Sequence, residues 1–177
     1  MKKSILFFAM TLTVTLTNAQ GVFSNQTNGT LEKVIRDYPN NFKNLRGDLL
    51  VSNRNSSKYQ SVLAVPGSVS NTITSLDEGS VSWQSELFKS ADFEQASSRF
   101  KELFGQIKNT IVKIESERPV ILNGRFDSPS EARSTNTVSF DMLPSNAVTS
   151  KLKVDLILEK IESQWRVVLR VSDSQFL

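Results

Sequence analysis

The stretch KLKVDLILEKIESQWRVVLRV, residues 151–171, decides the fold. Leu152, Val154, Leu156 and Leu158 alternate with Lys151, Lys153, Asp155, Ile157 and Glu159. Trp165, Val167, Leu169 and Val171 then alternate with Arg166, Val168 and Arg170. A period of two sends successive side chains to opposite faces of a strand, so each strand has a core face and a mostly wet face. Residues Ile161 to Gln164 read as a four-residue loop that pairs Lys160 with Trp165. This register sets Leu158 opposite Val167, Leu156 opposite Leu169 and Val154 opposite Val171. On the wet face it sets Glu159 opposite Arg166 and Asp155 opposite Arg170. Each such charge pair contributes only about 0.2–1 kcal/mol, so the pairs bias the register without fixing it.

The same alternation extends upstream. Ile111 to Ile114, Val120 to Phe126 and Thr137 to Met142 read as strands, punctuated by Pro119, Ser128-Pro129-Ser130 and Pro144-Ser145-Asn146. Before them the period is 3.6. Phe93, Ala96, Phe100, Leu103, Phe104, Ile107 and Ile111 fall on one face of a helix over 93–111. Ser90 is placed to cap it, Asp92 and Glu94 suit its positive end, and Gly105 is read as permitting close approach to a sheet. Nearer the start, Thr30 caps a short helix of about 31–38 whose apolar stripe is Leu31, Val34, Ile35 and Tyr38, stopped by Pro39. A hairpin follows, with one strand through Leu49, Leu50 and Val51 and another from Tyr59 through Val62 to Val65. Ser68 to Ser80 reads as an edge strand plus loop, and Val81 with Trp83 as a short strand.

The fold expected is α+β: a single curved antiparallel sheet with two amphipathic helices packed on one face. The order of elements resembles that of secretion-chaperone-like and TATA-binding-like α+β layers. The resemblance rests on order alone and implies no function.

The first nineteen residues set the compartment. Lys2 and Lys3 precede an apolar run from Ile5 to Leu16, and Ala19 offers a small residue before Gln20. That order is a signal peptide, residues 1–19, cleaved before Gln20. Residues 20–29 read as a flexible linker and 30–177 as one domain. The expected location is the periplasm or the exterior. Removing Lys2 and Lys3 lowers the basic count from 21 to 19 against 18 acids, and the formal charge from +3 to +1. Interspersed charge of that size does not fit a nucleic-acid binder, which clusters basic residues against phosphates. No later segment reaches the ~18 apolar residues of a membrane span.

The chain contains no cysteine and no histidine. Disulfides, Cys-His and Ser-His-Asp catalysis and His/Cys metal sites are therefore excluded. Two Ser-x-x-Lys matches, Ser98–Lys101 and Ser150–Lys153, lack the companion motifs of serine acyl-enzymes. Ser98 falls opposite the apolar stripe. Ser150 is read as opening a strand, where i and i+3 diverge. Glu115 with Glu117, and Asp77-Glu78-Gly79, could serve carboxylate chemistry or hold calcium, but read as solvated ends and turns. The sequons at Asn25, Asn28 and Asn55 mark surface loops. Trp165 belongs to the core by phase, and Trp83 is either core or a stacking platform. Tyr38 and Phe42 are either an exposed aromatic loop or a plug beneath the helix end.

No catalytic, cofactor-binding or metal-binding residue is assigned, and no cofactor is called for. The leading expectation is a non-enzymatic exported module that binds a protein or an envelope component. The alternatives are a carboxylate-dependent hydrolase of envelope or extracellular material and a small-ligand carrier. Because the charges of the wet face pair across strands, partner binding is expected at the 68–80 loop or at an edge strand.

Overall fold

The computed structural model describes residues 19–114, 118–145 and 149–173, with side chains from Gln26 onward. Among the described residues, nine antiparallel strands form one open sheet in the order β1-β2-β3-β4-β9-β8-β7-β6-β5. The strands are β1 Arg46–Ser52, β2 Ser56–Ser61, β3 Ser70–Leu76, β4 Val81–Ser90, β5 Ile111–Val112, β6 Val120–Gly124, β7 Thr135–Leu143, β8 Leu152–Ile161 and β9 Gln164–Asp173. Two α-helices among the described residues, α1 (Ala19–Asp37) and α2 (Phe93–Ile107), complete the α+β fold. Hairpins connect β1 through β4 and β5 through β9. The link carrying α2 is the crossover from β4 to the far edge, and β9 returns beside β4.

The terminal hairpin has the register read from the sequence. Lys160 pairs with Trp165, Leu158 with Val167, Leu156 with Leu169, Val154 with Val171, Glu159 with Arg166 and Asp155 with Arg170. The ladder runs one pair further, to Ile161 and Gln164. The connection is therefore the two-residue turn Glu162-Ser163, with Glu162 at φ 56°. A primed turn of that kind matches the twist of the strands it joins.

One apolar cluster joins these strands to both helices. α2 packs against β4, β8, β9 and α1, and α1 also meets β5. Trp83, Val171, Val154 and Phe140 form one buried cross-strand row. Phe104 contacts both Phe126 and Phe140, with ring centroids 5.0 and 5.6 Å apart. Phe140 can lie flat against β6 because residue 124 is glycine; a Cβ there would sit 2.7 Å from the ring. The opposite face carries the ion pairs of Arg166 and Arg170.

Several expectations are corrected. The helix expected over 31–38 is longer: among the described residues it covers Ala19–Asp37, and the segment expected as a linker over 20–29 is helical. Its polar residues have weak intrinsic helix preference, but docking overrides it: Thr27 and Thr30 are buried, and Thr30 Oγ1 donates to the Ala64 carbonyl. Thr30 is thus interior to α1, not its cap. The second helix ends at Ile107, and Ile111 leaves it for β5. Its cap is Asp92, which accepts from the Glu94 and Gln95 amides, while Ser90 accepts from Asp92 N. Gly105 is exposed with open space where a Cβ would go, so it permits no close approach.

Val62 to Val65 is not a strand. Ser61 turns the chain by donating to the Leu63 carbonyl and accepting from the Leu63 amide, and Asn71 Oδ1 takes the Val65 amide. The 68–80 segment is not an edge. It supplies β3, an interior strand paired to β2 and β4, with Ile73 between Tyr59 and Trp83. Threonine suits a half-buried pleat despite its polarity. β4 runs well past Trp83, and a bulge at Leu87 shifts the pairing from Glu86–Val168 to Phe88–Val167.

Candidate interaction surface

The sequence candidates for chemistry are scattered. Glu115 and Glu117 lie outside the described residues. Asp77 and Glu78 are exposed in the β3–β4 turn, beside Asn55 and Leu76. Ser98 and Lys101 are exposed on α2, as expected from the phase. Ser150 lies in a turn before β8, not in a strand, so Ser150 and Lys153 line one groove of about 320 Å³ together with Asp141. Both are exposed. A lysine becomes a base for serine when it is desolvated, and this one is not.

The aromatic candidates resolve into core. Trp83 is fully buried and its indole N–H donates to Ser61 Oγ at 3.0 Å. Trp165 is buried against Phe93, with centroids 4.9 Å apart. Tyr38 and Phe42 are buried together beneath the end of α1. The Tyr38 hydroxyl donates to Asp173 Oδ2 at 3.1 Å, and burial, with the Asp173 charge next, pushes its pKa up to about 12. The sequons at Asn25 and Asn28 lie in α1 rather than in a loop, whereas Asn55 is in the exposed β1–β2 turn.

The face opposite the apolar rows is wired internally. Arg166 reaches Glu159 at 3.0 Å and Glu86 at 3.2 Å. Arg170 reaches Asp155 at 2.9 Å, and Ser139 Oγ donates to the same carboxylate at 2.6 Å. Its two arginines are thus taken up by three carboxylates. Between α2 and the sheet, Phe100, Phe104, Phe126 and Phe140 stand in ring contact.

The two edges of the sheet differ. β5 is two residues long, and α1 closes its continuation. Glu32 Oε1 accepts from the Lys113 amide, Arg36 Nε donates to the Lys113 carbonyl, and Arg36 pairs with Glu32 at 3.1 Å. A short strand covered by another element is a protected edge. β1 is seven residues long and contains neither lysine nor proline. Leu49, Leu50 and Val51 are 55 %, 49 % and 56 % exposed in succession. Two register shifts, between Arg46 and Leu49 and between Leu49 and Val51, interrupt the alternation with β2. Such bulges re-aim side chains, which accounts for three adjacent apolar residues in water. Exposed Val62 and Val69 lie on the neighbouring 62–69 loop.

This surface was half legible. Leu49, Leu50 and Val51 read correctly as a strand, but a strand's edge position depends on long-range pairing that no local pattern reports. No known family model matches this chain, and neither a curated protein nor a solved structure resembles it detectably.

Proposed function

We infer that this protein is an exported, non-enzymatic interaction module that binds an extended segment of a protein partner along β1. The observation that carries this reading is the run of exposed apolar residues Leu49, Leu50 and Val51 on the edge strand β1. An open strand offers unpaired N–H and C=O groups as a template for another chain, and side chains at its rim add selectivity. In this reading both helices pack on the face that bears Trp83 and Val171, the opposite face pairs its charges internally with Asp155 buried among them, and β1 is left to bind. The basic start and apolar run of residues 1–19 support export.

The test is capture from the cells that export the protein, with tagged wild type, Leu50→Lys and Ile121→Lys. Ile121 is a half-exposed apolar residue on β6, remote from β1 in strand order. The reading expects bound material to be lost with Leu50→Lys and kept with Ile121→Lys. Equal capture by wild type and Leu50→Lys would overturn it.

A further inference from the structure

We propose that the strand received by β1 is β1 of a second copy, making a two-fold dimer with a continuous sheet across the junction. The inference rests on the reading of β1 as an open edge and adds the identity of its occupant.

Three observations carry it. The first is self-complementarity. A two-fold interface requires a patch that matches its own reverse. Centred on Leu50, the bulged residue between the Leu49–Tyr59 and Val51–Lys58 pairs, the antiparallel alignment of Asp48-Leu49-Leu50-Val51-Ser52 with a second copy sets Leu50 against Leu50, Leu49 against Val51 and Asp48 against Ser52. Apolar residues meet apolar ones and the acid meets a hydroxyl. No like charges face each other within these pairs, the arrangement that would oppose pairing. Arg46 falls beyond them, held over its own Tyr59 ring at 5.0 Å and bonded to the Asn41 carbonyl.

The second observation is exposure. Leu49, Leu50 and Val51 each keep about half of their surface in water in the isolated chain. Contiguous apolar exposure of this kind marks an interaction site. The third is closure. A molecule with two open edges would polymerise, whereas here β5 is only two residues long and Glu32 and Arg36 of α1 take up the amide and carbonyl of Lys113 just beyond it, although Ile111 stays 55 % exposed. One open edge ends assembly at two copies. The bulges of β1 blunt the edge to a degree, so the association belongs to the weak, concentration-dependent class.

Analytical ultracentrifugation of the purified protein over a concentration series tests this. The expected result is a monomer–dimer equilibrium in the micromolar range. Leu50→Lys sets two ammonium groups against each other at the axis and weakens association by roughly tenfold or more. Ile121→Lys leaves it unchanged. A wild-type monomer throughout the series overturns the proposal, as does a dimer indifferent to Leu50→Lys. If wild type is monomeric while Leu50→Lys still abolishes capture from exporting cells, the dimer is wrong and β1 remains the binding edge. If Leu50→Lys alters neither, both readings fall.

Discussion

Replacing Arg170 by methionine should cost about 3 kcal/mol. Asp155 is 3 % exposed, and its carboxylate has two partners: Arg170 at 2.9 Å and Ser139 Oγ at 2.6 Å. Methionine keeps much of the aliphatic stem's packing and removes the charge. Stranding one member of a buried pair costs roughly 3–5 kcal/mol. The lower end applies because the serine bond survives and the arginine side chain is 19 % exposed. Asp155→Asn in the same background removes the stranded charge and leaves the Ser139 contact satisfiable. The double variant should therefore recover about 2 kcal/mol over Arg170→Met alone, a coupling of the size expected for direct neighbours. Urea unfolding of wild type, both single variants and the double variant measures this through shifts in midpoint at constant slope. Additive single effects, or a loss below about 1 kcal/mol for Arg170→Met, would refute the packing of this pair between β8 and β9.

Phe100→Ala should cost about 3–5 kcal/mol, because the ring is fully buried against Phe126, whereas Ser98→Ala should stay within about 0.5 kcal/mol; equal losses in denaturant melts would show the helix phase to be wrong. The glycines should respond with opposite sign: Gly105→Ala raises stability by up to about 1 kcal/mol, and Gly124→Ala lowers it by about 1–3 kcal/mol through overlap with the Phe140 ring. Thermal melts of the two variants check the signs. Tyr38 is neutral in the fold up to a pKa of about 12, above its ordinary value near 10. The unfolded chain therefore gives up this proton first, and the stabilisation, complete below about pH 10, is lost as pH rises toward 12. Tyr38→Phe should flatten that decline relative to wild type in stability measured across this window, and an unchanged slope would contradict it.

What could be read from the sequence follows the range of the interactions involved. The β8–β9 register was legible because two alternating faces and two charge pairs agree within residues 151–171, although the connection is a two-residue turn and not the four-residue loop expected. The α2 stripe was legible for the same reason, a local period with one apolar face. The N-terminal half of α1 was not, since Ser24 to Gly29 become helical through docking that buries Thr27 and Thr30. β3 was misplaced because its Ser/Thr composition resembles an edge, while its interior position is set by pairing to β2 and β4. The β1 edge was anticipated only as a general possibility, because which strand ends the sheet is set by long-range pairing, as is the contact of Glu32 with Lys113 beyond β5.

The chain's lack of cysteine makes one measurement decisive for the β1 edge. A single Leu50→Cys substitution places one thiol at the centre of β1, and Ile121→Cys places one on β6. Antiparallel partners at the axis stand about 4.5–5.5 Å apart, within the span a disulfide accepts. Under mild oxidation at micromolar concentration, Leu50→Cys should yield a covalent dimer rapidly and Ile121→Cys should remain a monomer. Equal cross-linking of the two, or none at Leu50→Cys, would contradict β1 as the edge where this protein meets its own second copy.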